Sequence, residues 1–304
     1  MSAAAMATGY VADLAIGDPR RGHPVAGFGH LALGVERRWY EPTKARGIAV
    51  TTALVGIAAA VGRAASAWGF AATAAVTWAA LGGRSLRTEA DRVRRHIEGQ
   101  QLDQAREALR SLCGRDPDGL DADELSAAVV ESLAENTSDA VVGALVWGTI
   151  AGPAGVAGYR AANTLDAMFG HRDERYALFG WAAARLDDAL NWPAARLSAL
   201  LTCVLAPAVG GSPAAAWRAV RRDGPRHPSP NAGRAEAAFA GALGVTLGGP
   251  LAYHGRAEIR PTLGEGPRPT VHDIVRAQRL SQAVSAAALA VCVAGRAVRE
   301  HRHR

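Results

Sequence analysis

From Ile48 to Gly82 the chain carries a single charge, Arg63, in 35 positions. As one straight helix that run would be about 52 Å long, against roughly 30 Å of bilayer hydrocarbon. Both flanks are basic: Arg20, Arg21, Arg37, Arg38, Lys44 and Arg46 precede it, and Arg84, Arg87, Arg92, Arg94 and Arg95 follow. Positive charge marks the cytoplasmic side of a membrane. The chain is therefore expected to leave and return on one side, through a short hairpin turning near Gly62-Arg63. A long water-soluble Ala-rich helix is the plainer alternative.

Three further runs qualify as spans. Ala140 to Tyr159 carries no charge, and neither does Leu197 to Trp217, although Pro207 and Pro213 would kink it. Ala283 to Val298 is interrupted only by Arg296, and Ala235 to Tyr253 is a weaker run with Glu236 near its start. Met1 to Ile16 holds Asp13 and lacks a basic start, which suits a clipped first membrane helix and not a signal peptide. The chain has 68 Ala and 34 Gly with only 6% aromatic residues, so helices are expected to pack through small side chains. The fold expected is all-α: a polytopic membrane helical bundle with cytoplasmic amphipathic helices and long polar loops. It forms one membrane-embedded domain over 1–304, with 84–138 as a polar helical segment between membrane runs. Within that segment Val93, Ile97, Leu102, Ala105, Leu109 and Leu112 repeat at helical spacing with a break at Gly99. Asp116-Pro117-Asp118-Gly119 reads as a turn, and Asp121 or Asp123 as the cap of the next helix.

Absences narrow the chemistry. Lys44 is the sole lysine among 34 basic residues, so no Walker A loop and almost no Schiff-base chemistry is available. Cys113, Cys203 and Cys292 are too far apart for a metal clip and odd in number, and no His pattern suggests zinc. Basic residues cluster at the ends of apolar runs with little aromatic interleaving, which makes nucleic acid a poor partner.

Four polar clusters remain. From Asp116 through Tyr159 there are eight acids and no basic residue, and Glu131, Glu135 and Asp139 recur every fourth position beside Asn136. Three carboxylates on one helix face repel one another unless a metal or a cationic substrate sits there, and such a face suits Mg²⁺ bridged to phosphates. A solvated helix face is the plainer reading. Arg160, Asn163 and Asp166 share a face, followed by Arg172 and Arg175, which are candidates to clamp a phosphate or carboxylate. In the third cluster Asp187 and Asn191 are at i, i+4, and Asp188 is within reach of Arg185. The fourth is the stiff loop His227-Pro228-Ser229-Pro230-Asn231, whose Asn231 is expected to cap a helix with an anion-binding N-terminus.

As a set these motifs resemble the adenosylcobinamide-phosphate synthase (cobinamide synthase) family of cobalamin biosynthesis. The resemblance lies in Glu131-Ser-Leu-Ala-Glu135-Asn136-Thr-Ser-Asp139, Tyr159-Arg160-Ala-Ala-Asn163-Thr-Leu-Asp166 and Phe179-Gly180-Trp181 through Arg185-Leu-Asp187-Asp188. It continues in His227 to Gly233 with Gly241-Ala-Leu-Gly-Val245, and in Gly17-Asp18-Pro19 with His23-Pro24-Val25. It implies a multi-pass enzyme of the cell membrane, with its active site on the cytoplasmic side. That enzyme joins aminopropanol or its O-phosphate to a propionate carboxylate of adenosylcobyric acid, with ATP as co-substrate and Mg²⁺. Contact with later membrane enzymes of the pathway stays open. On this reading Glu135 and Asp139, or Asp187 and Asp188, hold metal and phosphate, and Glu131 or Asp166 takes the amine proton. Asn136, Asn163, Arg172, Arg175, His227, Ser229 and Asn231 bind substrate. The alternatives are a Mg²⁺-dependent prenyl-diphosphate transferase of the membrane, suggested by Asp187-Asp188-x-x-Asn191, and a small-solute transporter.

Overall fold

The computed structural model describes residues 1–19, 22–171, 173–253 and 256–302. The chain is 79% helical. In order the elements are α1 (Ala3–Ile16), α2 (Pro24–Trp39), α3 (Lys44–Ala65), α4 (Gly69–Ala80), α5 (Gly83–Glu98), α6 (Leu102–Leu109) and α7 (Ala122–Asn136). After a π-helical turn (Thr137–Val142) come α8 (Gly143–Phe169), α9 (Tyr176–Phe179), α10 (Trp181–Leu205), α11 (Pro213–Arg222) and α12 (Ala232–Leu243). A hairpin of β1 (Leu247–Tyr253) and β2 (Arg256–Leu263) leads into the long α13 (Val271–Arg302). Among the described residues four helical stretches are long and apolar enough to cross a membrane: Lys44–Glu98, Ala122–Phe169, Trp181–Val209 and Val271–His301.

The chain divides into two compact units. The first comprises Met1–Gly82, Asp139–Ala194 and Leu289–Arg304; the second comprises Gly83–Ser138 and Ala195–Ala288.

In the first unit α3 packs along α8 at backbone contact. A Cβ on Gly62 would lie 2.3 Å from the Pro153 carbonyl oxygen, so only glycine permits this approach. Ala32, Val50, Leu54, Leu165, Phe169 and Phe179 form a buried core between α2, α3, α8 and α9. The break after α3 falls at the 3₁₀ turn Ser66–Trp68, a few residues beyond the expected Gly62-Arg63. Helix α8 bends at Gly152 (φ +65°), which is followed by Pro153. Proline has no N–H to give the Thr149 carbonyl. Arg299 Nη1 donates to that carbonyl (3.2 Å) and to Ile150 (2.9 Å), replacing the missing helix donor.

In the second unit the break at Gly99 is as expected: α5 ends at Glu98, and Gln100 adopts φ +57° before α6. Asp121 caps α7 in a reciprocal box with Glu124. Two expected runs are divided between elements. Leu197–Trp217 ends as a helix at Leu205; a 3₁₀ turn follows, and Pro213 starts α11, so the prolines separate two helices where a kink was expected. Ala235–Tyr253 divides at Gly244, which takes a left-handed conformation after α12, and the remainder enters β1. The hairpin pairs Leu247 with Leu263 and Tyr253 with Arg256, with a bulge between Leu247 and Gly249. Its base is anchored where Asp223 Oδ2 accepts the Gly264 N–H at 2.9 Å.

Candidate functional site

Each unit carries its own polar cluster. In the second, Glu131 lies on the buried face of α7 and pairs with Arg115, the two side chains only 8% and 6% exposed. Its other oxygen accepts the Gly248 N–H at 2.7 Å, so both carboxylate oxygens are engaged. The acidic helix face therefore does not lack a cation. Arg115 stands one residue before the acid-only span, and Arg260 arrives from β2 into the field of Glu135. This corrects the expectation that a metal or a cationic substrate is needed to relieve the repulsion.

Glu236 on α12 completes the group. It is 2% exposed, and its Oε2 is 3.8 Å from His227 Nε2. Burial pushes its carboxyl well above the usual carboxylate range, helped by Glu131 and Glu135 and opposed by Arg260 and Arg115. His227 Nδ1 accepts the Ser229 N–H (3.1 Å), and Arg260 Nη1 is 3.5 Å from His227 Nε2. Asn231 is not the side-chain cap expected of it. Ser229 Oγ accepts the Asn231 and Ala232 N–H groups at 3.3 and 3.2 Å, and the Asn231 carboxamide oxygen receives Arg196 Nη1 at 2.6 Å. The short Ser229 side chain reaches the helix start first, leaving Asn231 to the arginine. Asn136 donates to the Ser132 carbonyl at 3.0 Å.

The helix bearing Glu131 and Glu135 ends in the π turn, where i→i+5 bonding takes Asp139 out of simple four-residue succession. In the first unit the Tyr159 hydroxyl lies 2.6 Å from the Asp139 carbonyl and also meets Asn191 Oδ1. Asn191 Nδ2 donates to Asp187 Oδ2 at 2.9 Å, and Asn163 Nδ2 to Asp187 Oδ1 at 3.2 Å. Arg160 Nη1 donates to Asn163 Oδ1 at 3.1 Å, and its guanidinium lies in the field of Asp18, Asp139 and Asp187. The result is one connected network on α8 and α10.

The remaining candidates of the first unit have contacts of their own. Asp166 rests against Gly170, where a Cβ would come within 1.9 Å of its Oδ1. Asp188 faces Arg185 at 3.7 Å, as its spacing suggested, and both line a cavity of about 320 Å³ with His171, Tyr176 and Trp181. Arg175 is held by Glu36 at 2.6 Å and lies over the Tyr40 ring, which holds its pKa up through the Glu36 hydrogen bond. Arg172 lies outside the described residues.

Sequence reasoning passed over Arg115, Arg260, Glu236, Tyr159 and Arg196. Glu236 alone had a usable signal, as the single acid in an otherwise apolar helix.

The acids of the first unit's network are Asp139 and Asp187, and Asp187 already accepts from the Asn163 and Asn191 amides. Among the described residues no group of three His, Cys, Asp or Glu side chains converges as a metal cage. Mg²⁺ is commonly held by one or two carboxylates together with substrate phosphates, and this donor set fits that habit.

A family model described as "CobD/Cbib protein" matches residues 6–281. The chain is 50% identical over 290 residues to the cobalamin biosynthesis protein CobD of Mycobacterium tuberculosis H37Rv, covering 94% of this chain and 93% of that one. It is 43% identical to the protein of the same name from Chromobacterium violaceum, over 88% of each chain. With that of Geobacter metallireducens it shares 41% identity over 88% of this chain and 87% of the other. No solved structure matches it. The chain belongs to the CobD/Cbib family, and its work lies in cobalamin biosynthesis.

Proposed function

We propose that this chain joins an amine, aminopropanol or its O-phosphate, to a propionate carboxylate of adenosylcobyric acid at the expense of ATP. Family membership supports a corrinoid substrate, and the observation that carries the chemistry is the network in which Asp187 accepts from Asn163 and Asn191 while Tyr159 meets Asn191 and the Asp139 main-chain carbonyl.

A carboxylate does not acylate an amine until one of its oxygens becomes a leaving group. Transfer of the terminal phosphoryl group of ATP to that oxygen releases ADP and makes an acyl phosphate. The amine nitrogen then attacks the acyl carbon, phosphate leaves, and the nitrogen loses a proton to a base. Mg²⁺ held by Asp139 and Asp187 would supply charge neutralisation for the phosphates. Asp166 or Glu131 is the base, Glu131 only by giving up a bond to Arg115 or Gly248. His227, Arg260 and Arg196 form a separate donor cluster of the second unit, suited by itself to phosphate or amide oxygens. ATP is cytoplasmic, so the reading puts the polar clusters on the cytoplasmic side of the cell membrane.

The test uses membrane vesicles supplied with cobyric acid, ATP, Mg²⁺ and each amine in turn, with products read by mass. Asp139→Asn and Asp187→Asn are expected to abolish product at unchanged protein level. Near-normal turnover in both would remove these carboxylates from the chemistry, and product formed without ATP would refute the ligase reading.

A further inference from the structure

The cavity of about 320 Å³ in the first unit has no role in the scheme above. It lies between two helical stretches apolar enough to cross a membrane. One ends at Phe169 and the next starts at Trp181, and the lining residues Gly170, His171 and Tyr176 come from the connection. A place at the ends of spans is where a polar solute arrives from water. The volume is at the small end of the roughly 300–1,000 Å³ of ligand sites, which suits a small molecule and excludes a corrinoid. The wall that carries Tyr176 is well fixed. The Tyr40 hydroxyl donates to the Arg175 carbonyl at 2.8 Å, Glu36 holds the Arg175 side chain, and the Tyr176 ring packs on Phe169 with centroids 5.4 Å apart.

Charges of both signs line this space. Arg185 Nη1 and Asp188 Oδ2 stand 3.7 Å apart on α10, beyond hydrogen-bond length, and the Arg185 side chain is 64% exposed. A ligand bearing both an anion and a cation exchanges that loose contact for two closer ones. Lys44, the sole lysine of the chain, lies 4.9 Å from the centroid of the Trp181 ring and brings a second cation to the wall. The cavity also borders the residues of the reaction scheme. Asp188 directly follows Asp187 in α10, and Gly170 leaves room for Asp166, whose Oδ1 would be 1.9 Å from a Cβ placed there. A ligand nitrogen held at Asp188 thus has one of the two candidate bases, Asp166, against the Gly170 wall.

We propose that this cavity is the subsite for the amine co-substrate and takes it as a short zwitterion: the ammonium nitrogen on Asp188, the phosphate ester on Arg185, the carbon chain against Trp181 and Tyr176. The identity of the ligand rests on the ligase reading. The positive excess of Arg185 and Lys44 over Asp188 selects the O-phosphate over the free amino alcohol.

The test is calorimetric titration of the detergent-purified full-length protein, without ATP or corrinoid, with aminopropanol O-phosphate, free aminopropanol and inorganic phosphate. The O-phosphate is expected to bind about tenfold or more tightly than either of the others. Arg185→Gln should weaken the O-phosphate by about tenfold or more and leave the free amine unchanged, the factor carried by one lost charge-assisted hydrogen bond. Asp188→Asn should weaken the O-phosphate and the free amine and leave inorganic phosphate unchanged. Both variants lose the same Arg185–Asp188 contact, so a merely structural effect would move every ligand alike in both, and that outcome overturns the proposal. O-phosphate binding that neither variant changes overturns it too, as does a wild type that does not bind the O-phosphate. Wild type that shows the expected pattern but fails to join the amine to cobyric acid with ATP would sink the ligase reading and leave the subsite standing. Ligation by wild type with binding unchanged in both variants would sink the subsite alone.

Discussion

The pair of Arg115 and Glu131 offers the sharpest stability test. Both side chains are more than nine-tenths buried, and Glu131 also receives the Gly248 N–H that ties the hairpin to α7. Replacing Arg115 with Leu leaves a buried carboxylate without its cation. Breaking a buried pair from one side costs about 3–5 kcal/mol, far more than losing an exposed pair. At roughly 2–4 °C per kcal/mol for a domain of 150–250 residues, the melting point should fall by on the order of 10 °C. Adding Glu131→Gln removes the stranded charge but keeps an acceptor for Gly248. The double variant should therefore recover most of the loss. The assay is thermal unfolding of the detergent-purified protein at one heating rate for all three forms. A single variant melting within about a degree of wild type, or a double variant no better than the single, would refute the account of this ion pair.

Glu236 has its carboxyl pushed well above the ordinary value of 4.5, so folding favours its protonated form. Its contribution is full below about pH 4.5 and is lost as pH rises through the raised folded value, so Glu236→Gln should flatten the decline of stability with rising pH in that window; identical wild-type and variant profiles from pH 5 to 9 would contradict this. Gly62→Val should lower folded yield severely, because its Cβ would meet the Pro153 carbonyl at 2.3 Å, whereas Gly56→Val, with nothing within 4 Å of its Cβ, should be tolerated; equal monodisperse yields of the two would show that α3 and α8 do not need the close approach.

Several features were legible in the sequence because their physics is local. Transfer of a helix into lipid depends on the side chains of that helix alone, so the charge-poor runs Ile48–Gly82, Ala140–Tyr159, Leu197–Trp217 and Ala283–Val298 announce themselves, and each overlaps a helical stretch long and apolar enough to cross a membrane. The Asp121–Glu124 capping box, the break at Gly99 and the Asp187–Asn191 and Arg185–Asp188 contacts depend on neighbours within four residues. The Ala235–Tyr253 run is different. It reads as a weak apolar run, and only pairing of its end with Arg256–Leu263 draws that end into a hairpin.

By itself, then, the sequence determined where the charge-poor runs lie, a few local caps and breaks, and which family's motifs the chain carries. Only the tertiary structure decided what those motifs touch. Arg115 and Arg260 meet the α7 glutamates from 16 residues before and from a distant strand, and Arg299 reaches the Thr149 carbonyl from 150 positions away. A buried charge must find its partner wherever the packed chain happens to bring one, and no periodicity along the chain records that meeting.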